Sequence, residues 1–334
     1  MKKTTSQEAS PASVWALLNK RINHPRIGEV IAEVEALEPM GKGHILMVTG
    51  PTGVGKSTLA QTLRVRMLKR YMPEMEKDPG LIPVLLIEAR ASSEAEFNWK
   101  LFYSDILEQL EGAAGMPPAV AYGVDPQTNV VYRPHGRSKD TAWALRKKVE
   151  GALRARGVKM LLIDEGGHFT NVSQARMKRQ TDVLKSISNC AGCQIVLFGS
   201  YDVLDVSRLS AQLARRISEI HFARYRTDDP DDCIAFEGFL HHIEQEAQGA
   251  FGGLLLENAQ LLQANTLGCV GTLMDLIRGF ISRAQKGGTF SQQLLEKSLL
   301  TQGQHATILS EIVRGEERFA GELFTLPATK RRAA

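Results

Sequence analysis

The sequence is poor in cysteine and in long apolar runs. Four cysteines among 334 residues are too few for a disulfide-stabilised scaffold. The longest apolar runs, such as residues 81–87, are far shorter than a membrane-spanning helix, so we expect no membrane partner. The two lysines near the amino terminus precede no apolar stretch of signal-peptide length, which favours a cytoplasmic protein. Apolar residues at 43% and charged residues at 23% are close to globular averages, which excludes an extended disordered chain.

The charge is unevenly distributed along the chain. Residues 133–159 hold nine basic residues against two acidic ones, a local net charge of +7, although the whole chain carries only +4. Residues 228–246 hold seven acidic residues and no lysine or arginine. We therefore expect one region that attracts polyanions and another that repels them; the alternative is two ordinary solvated helix faces.

Apolar periodicity predicts an α/β fold. Four short apolar runs near residues 44, 84, 160 and 194 are separated by helix-length segments, as in a parallel sheet covered by helices on both faces. After residue 225 the strand signals stop, and helical stretches begin near residues 231, 254, 269 and 291. We therefore predict N-terminal helices over 1–40, an α/β core over 41–226, a helical lid over 227–302 and a C-terminal tail over 303–334.

Residues 50–57 match the pattern G-x-x-x-x-G-K-[ST] at every fixed position, between a predicted strand and a predicted helix. The glycines of such a phosphate-binding loop (P-loop) let backbone N–H groups surround phosphates, and the helix amino terminus adds its dipole. Lys56 would reach the β- and γ-phosphate oxygens, and the Ser57 hydroxyl would bind Mg²⁺. The predicted site for ATP and Mg²⁺ consists of Gly50, Pro51, Thr52, Gly53, Val54, Gly55, Lys56, Ser57 and Thr58.

Two acidic residues end the apolar strand that begins at Met160. We expect Asp164 to orient the magnesium shell and Glu165 to activate the attacking water, as in a Mg²⁺-dependent ATPase. The alternative is a strand that ends in ordinary surface acids.

Two further catalytic candidates come later in the chain. Ser200 follows the apolar run at 194–199, where we expect it near the γ-phosphate or the attacking water; a simple turn serine is the alternative. Arg215 or Arg216 is a candidate arginine finger, because a guanidinium spreads its charge over a transferring phosphoryl group. A finger too far from its own P-loop acts on a neighbouring subunit, which makes ATP the link in an oligomer. Surface arginines in ion pairs are the alternative.

These motifs together resemble the AAA+ ATPases. The sequence LLIDE, the serine after the fourth strand, the arginine pair and the four-helix segment all contribute to this resemblance. The order of these features, the sequence IVLFGSYDVLD at 195–205 and the Gly-x-x-Gly at 268–271 are similar to the TniB/TnsC family of transposition regulators. The similarity covers roughly residues 20–300.

The resemblance implies an AAA+ P-loop NTPase fold, in which helices sandwich a parallel sheet and a small all-helical lid follows. It implies a homo-oligomer, either a ring or a helical filament, that assembles with ATP on double-stranded DNA. A transposase and a target-selector protein are the implied protein partners. It also implies that Arg216 acts in trans. In one departure, Thr272 stands where many AAA+ lids have a sensor arginine, although Arg278 lies further along the same helix.

Family members contact DNA through basic residues after the second strand and before the Asp-Glu strand. In this chain those stretches contain Arg90, Lys100, Arg133, Arg137 and Lys139. Turn-forming residues interleaved with Tyr122, Asn129 and Tyr132 predict a projecting loop or hairpin that carries arginines. Contacts to phosphates would make DNA binding independent of base sequence and strongly dependent on salt.

Two other functions fit the same motifs. One is a replication-initiator or helicase-loader ATPase, which would also bind DNA. The other is a DNA-independent assembly or signalling ATPase, whose basic stretch would bind an acidic protein.

Overall fold

A computed structural model of the chain describes residues 14, 24–41, 43–91, 97–112, 123–124, 131–132, 140–170, 173–287 and 289–322. The described residues form two compact units. The first is an α/β unit that contains the described residues up to 49 and residues 55–222, except position 14. The second is a helical unit that contains residues 50–54 and the residues from 223 onward, with Val14 in its core. The boundary between the units therefore falls within the P-loop.

A five-stranded parallel sheet organises the α/β unit. Its strands are β1 (Ile45–Thr49), β2 (Val84–Glu88), β5 (Met160–Asp164), β6 (Gln194–Gly199) and β7 (Ile217–His221). Their order across the sheet is β2-β5-β6-β1-β7. Every residue of β1 and β6 is buried, because helices cover both faces of the sheet. The predicted α/β class and the four predicted strands are confirmed.

Seven α-helices occur among the described residues of the α/β unit. They are α1 (Pro25–Leu37), α2 (Lys56–Arg70), α3 (Met72–Lys77), α4 (Trp99–Gly112), α5 (Ala142–Ala155), α6 (Gln174–Ala191) and α7 (Ala211–Ala214). Short 3₁₀ segments span Glu38–Met40, Gly166–Phe169 and Tyr201–Leu209. The helix α1 has Pro25 in its first turn. It buries an apolar face, and the helical spacing of those apolar residues predicts this; they are Ile27, Val30, Ile31 and Val34.

A small hairpin lies in the connection between β2 and β5. The strand β3 (Gly123–Val124) pairs antiparallel with β4 (Val131–Tyr132). Of the predicted loop or hairpin, a hairpin is therefore present in this connection, and the arginines predicted for it lie outside the described residues.

The helical unit has its own apolar core. Its helices are α8 (Pro230–Glu246), α9 (Leu254–Glu257), α10 (Ala259–Asn265), α11 (Val270–Gly287), α12 (Gln292–Glu296) and α13 (Gln302–Glu322). The rings of Phe251, Phe280 and Phe290 pack together with centroids 4.8 to 6.0 Å apart. The predicted helical stretches match α8, α9, α11 and α12. Residues 302–322, where the sequence periodicity weakens, form the 21-residue helix α13.

Within the described residues, no helix is both long and apolar enough to cross a membrane.

The buried His24 precedes α1 and links the helix to β7. Only 5% of His24 is exposed, and its ring stacks on Phe222 with a centroid distance of 5.9 Å. Burial, and then the nearby positive charge of Arg26, lowers the pKa of His24 from 6.5 to about 4. The folded protein therefore holds a neutral imidazole over a pH range in which the unfolded chain binds a proton.

We expect His24 to make the stability of the fold depend on pH. Its contribution is complete above pH 6.5 and is lost as the pH falls towards 4, at a cost of up to about 3 kcal/mol. Urea unfolding at several pH values between 7.5 and 4.5 measures this slope. His24→Leu should flatten it, and an unchanged slope in that variant would contradict the assignment.

Candidate functional site

The second half of the P-loop leads directly into α2. The helix begins at Lys56, and its N-cap residue Gly55 has a left-handed φ of 108°. No side chain among the described residues caps this helix. Apart from Gly55 and its two neighbours in the chain, no described residue has an atom within 4 Å of the position a Gly55 Cβ would take. An uncapped helix amino terminus that faces open space is a suitable cradle for phosphate. The residues present therefore fit the predicted nucleotide.

The first half of the P-loop is held by the helical unit. The backbone N–H of Thr272, in α11, donates to the carbonyl oxygen of Gly53 at 3.0 Å. Gly53 has φ 78°, and a Cβ on it would lie 2.1 Å from the Thr272 hydroxyl oxygen. The Thr52 hydroxyl donates to a carboxylate oxygen of Glu311, in α13, at 2.8 Å. The residue that departs from the usual sensor arginine thus contacts the P-loop backbone itself.

The two predicted acids lie at the carboxyl edge of the sheet. Asp164 ends β5, is half-buried, and lies beside Glu88 at the end of β2. Glu165 follows it as an exposed residue with a left-handed φ of 57°. Its N–H donates to Asp164 Oδ1 at 2.9 Å. The left-handed backbone of a glutamate lowers the free energy of unfolding by about 1 kcal/mol or more. The fold accepts this strain at an acidic residue that faces solvent.

Ser200 lies at the same edge of the sheet. It follows β6, the neighbour of β5, and is half-buried. A Cβ placed on Gly167, two residues after Glu165, would lie 3.8 Å from the Ser200 hydroxyl oxygen. That hydroxyl also donates to Asp202 at 3.5 Å, within the following 3₁₀ turn. The fold thus brings Ser200 close to the Asp-Glu segment, and both its predicted role and the turn-serine alternative remain compatible with this position.

Arg216 lies at the opposite edge of the sheet. Its carbonyl oxygen accepts a hydrogen bond from the N–H of Ile45, the first residue of β1, at 2.8 Å. Burial, and then the charge of Arg216, lowers the pKa of the adjacent His44. The P-loop begins after the last residue of β1, so five strand residues, about 16 Å, separate Arg216 from it. Arg216 lines a basic cleft of about 300 Å³ together with Lys185, Gln212 and Arg215.

The predicted DNA contacts fall into two groups. Arg133, Arg137 and Lys139 lie outside the described residues. Arg90 lies after β2 and forms a 3.4 Å ion pair with Asp105 of α4. Lys100 is exposed in the first turn of α4.

Arg90 is close to the Asp-Glu edge of the sheet. It lines a cleft of about 260 Å³ that also includes Glu88, Asp105 and Asp164. Burial raises the pKa of Asp105, and the charge of Arg90 opposes this effect. Arg90 thus belongs to the surroundings of the predicted magnesium residue as well as to the predicted DNA-contacting set.

Sequence reasoning missed two residues of this site. His168 follows the Asp-Glu pair, and its Nδ1 lies 2.5 Å from the carbonyl oxygen of Ala89, which joins the ends of β5 and β2. Its position three residues after Glu165 could have drawn attention to it. The other is Glu311, for which the sequence holds no signal, because 258 residues separate it from Thr52.

The AAA domain family matches residues 40–206, which is half of the chain and includes the P-loop, the Asp-Glu pair and Ser200. The chain belongs to the AAA domain family. This membership supports nucleotide-hydrolysing ATPase activity. No curated protein matches the sequence.

Solved structures with the same fold include two archaeal proteins. A Walker-type ATPase of Pyrococcus abyssi has a TM-score of 0.53 and 12% identity, covering 88% of this AAA protein and 74% of its own chain. The ORC1 protein of Aeropyrum pernix, solved in complex with DNA, has a TM-score of 0.52 and 17% identity, with coverages of 85% and 68%. At these identities the similarity establishes the fold alone.

We expect Glu165→Gly to stabilise this AAA protein while it impairs hydrolysis. Glycine relieves the left-handed strain, for a net gain of about 0.5 to 1 kcal/mol in the free energy of unfolding. Loss of the carboxylate should lower kcat about 100-fold. Urea unfolding and steady-state ATPase assays measure the two effects.

Gln248 provides the matched control, because it is exposed and also left-handed, with φ 53°. Gln248→Gly should give a similar gain in stability with unchanged kcat. If Glu165→Gly is less stable than the wild type, the strain argument is wrong. If it retains full activity, Glu165 is not the residue that activates water.

Proposed function

We propose that this protein is a Mg²⁺-dependent ATPase that assembles head to tail on double-stranded DNA and regulates transposition in the manner of the TniB/TnsC family. The observation that carries the proposal is the position of Arg216. An arginine at the amino edge of the sheet is far from its own P-loop but is available to a P-loop presented by another copy.

The nucleotide roles follow from the arrangement at the carboxyl edge. Backbone N–H groups of the P-loop and the amino terminus of α2 bind phosphate oxygens, and Lys56 neutralises their charge. Ser57 and Asp164 would hold Mg²⁺, which would supply positive charge against the phosphate oxygens. Glu165 accepts a proton from the attacking water, and Ser200 donates a hydrogen bond at the same edge.

Arg216 completes this site in a neighbouring subunit. A contact between the amino edge of one sheet and the carboxyl edge of the next joins two different surfaces, so it is heterologous. Repetition of such a contact builds a ring or an open helical filament. The clustering of Lys185 and Arg215 with Arg216 supports this role, because a basic cleft suits a triphosphate of another copy.

The DNA partner is supported by charge and by the hairpin. The connection between β2 and β5 contains the hairpin β3-β4 and then the start of the stretch with net charge +7. Repetition of one such stretch per subunit would line up basic residues along the phosphates of a duplex. The proposed contacts are Arg90, Lys100, Arg133, Arg137 and Lys139.

Replication initiation is the second candidate, because the structurally similar ORC1 protein was solved in complex with DNA. The run of motifs from LLIDE to the Gly-x-x-Gly lid start favours transposition instead. Stimulation of an integrase-type transposase encoded beside this gene would separate the two functions. The DNA-independent alternative predicts assembly with ATP but no salt-dependent binding to DNA.

We expect two inactive variants to restore activity when they are mixed. Arg216→Ala should lower kcat about 1,000-fold, and Glu165→Gln should lower it about 100-fold while it still binds ATP. In an equal mixture, about a quarter of the interfaces pair an intact Glu165 with an intact Arg216, so ATPase activity should recover to about a quarter of wild type.

Arg215→Ala is the matched control for this experiment. If Arg216 is the trans-acting arginine, Arg215→Ala alone should retain most of the wild-type activity. Failure of the mixture to recover activity, in samples that assemble normally, would exclude a role in trans. An Arg215→Ala variant that is inactive alone, and that recovers activity only when mixed with Glu165→Gln, would transfer the role to Arg215.

We expect DNA affinity to depend on ATP and to fall steeply with salt. Arg137→Ala should reduce the slope of log affinity against log salt by about one, because one phosphate contact is lost. Lys286→Ala, an exposed cation of α11, should leave the slope unchanged. Fluorescence anisotropy with a labelled duplex measures both slopes. Binding that is unaffected by ATP or by Lys56→Ala would contradict the proposed assembly.

A further inference from the structure

The helix α13 contacts the P-loop through an acidic side chain. Glu311 accepts a 2.8 Å hydrogen bond from the hydroxyl of Thr52, the third residue of the loop. Both residues belong to the helical unit. Thr52 immediately precedes Gly53, whose left-handed backbone starts the turn of the loop. A contact at Thr52 therefore influences where the phosphate-binding N–H groups point.

The position of α13 is fixed independently of Glu311. Glu316 forms a two-point ion pair with Arg224, with nitrogen-oxygen distances of 2.8 and 3.1 Å. The fully buried Ile312 packs against Leu267 and Cys269, which precede α11. The two-point ion pair and the apolar contact lie about one helical turn apart, so together they restrict the movement of the helix. Glu311 is thus presented to the P-loop by a helix that is already anchored.

The neighbouring P-loop residue is held by another helix of the same unit. Thr272, in α11, donates its backbone N–H to the Gly53 carbonyl oxygen at 3.0 Å. The backbone bond through Thr272 cannot be removed by changing that side chain. The hydrogen bond between Thr52 and Glu311 can be removed by a substitution, so its contribution to the P-loop can be tested.

We propose that Glu311 is a positioning residue for ATP, which holds Thr52 so that the P-loop keeps its phosphate-binding shape. This inference rests on the proposed nucleotide site. Because Glu311 acts through Thr52 on the bound ground state and transition state alike, its loss should weaken ATP binding and leave the chemical step unchanged.

The test compares four variants by ATPase kinetics and by binding of a fluorescent ATP analogue. Glu311→Ala should raise KM and Kd about three- to fivefold, as expected for one hydrogen bond, with kcat unchanged. Glu311→Gln keeps an acceptor oxygen and should stay within about twofold of wild type. Thr52→Val, which lacks the hydroxyl, should match Glu311→Ala. The double variant should be no weaker than either single variant, because both remove the same bond.

Glu317→Ala is the matched control. Glu317 is an exposed residue of α13, and removing it takes the same charge from the same helix. Its KM should equal that of the wild type. A Glu311→Gln variant as weak as Glu311→Ala would overturn the proposal, because charge would then matter rather than the hydrogen bond. Tighter ATP binding by Glu311→Ala would overturn it too, since Glu311 would then oppose the phosphates.

The wild type and Lys56→Ala distinguish failure of the proposed function from failure of the positioning role of Glu311. If the wild type binds no ATP analogue, the proposed function fails. If the wild type binds it, Lys56→Ala does not, and Glu311→Ala equals the wild type, then only the positioning role fails. Circular dichroism melting of each variant confirms that a change in KM comes from a folded protein.

Discussion

Parallel strand pairing is the constraint on which the rest of this structure depends. Because β1, β5 and β6 run in the same direction, the residues that follow them emerge at one edge of the sheet. Within the α/β unit, the start of α2, the Asp-Glu pair and Ser200 therefore lie at the same edge of the sheet. The same rule sends Arg216, which precedes β7, to the other edge. In a parallel sheet, an arginine that precedes a strand is therefore separated from the P-loop of its own subunit by the length of one strand.

The sheet was predictable because its strands are buried on both faces. Such strands appear in the sequence as unbroken apolar runs, as in β5 and β6, and each run is followed by residues predicted to belong to the nucleotide site. The edge that holds the proposed site was predictable from the same runs, since the P-loop and the Asp-Glu pair immediately follow strands. Local sequence was sufficient to predict the site wherever a buried strand is followed directly by the predicted site residues.

The contacts of α13 were not predictable in this way. Its apolar pattern is weak because the helix buries few residues, with Ile312 fully buried and Ile308 and Leu309 packed beside it. Much of its anchoring is polar, through Glu316 and Arg224, and charged residues at helical spacing usually indicate a solvated face. The partners of Glu311 and Glu316 are distant in sequence, so these contacts cannot be predicted from a single sequence.

The environment of Arg90 limits what it can contribute to DNA binding. Its side chain is 58% exposed, whereas that of its partner Asp105 is only 13% exposed, near Glu88 and Asp164. A DNA phosphate would have to replace Asp105 as the partner of Arg90. The ion pair itself is worth less than about 1 kcal/mol at this exposure, but its loss would leave a half-buried carboxylate without its cation, among other acids. The gain from one phosphate contact would be largely offset. Lys100 has no ion pair among the described residues, so it carries no comparable cost and is the stronger candidate of the two proposed contacts.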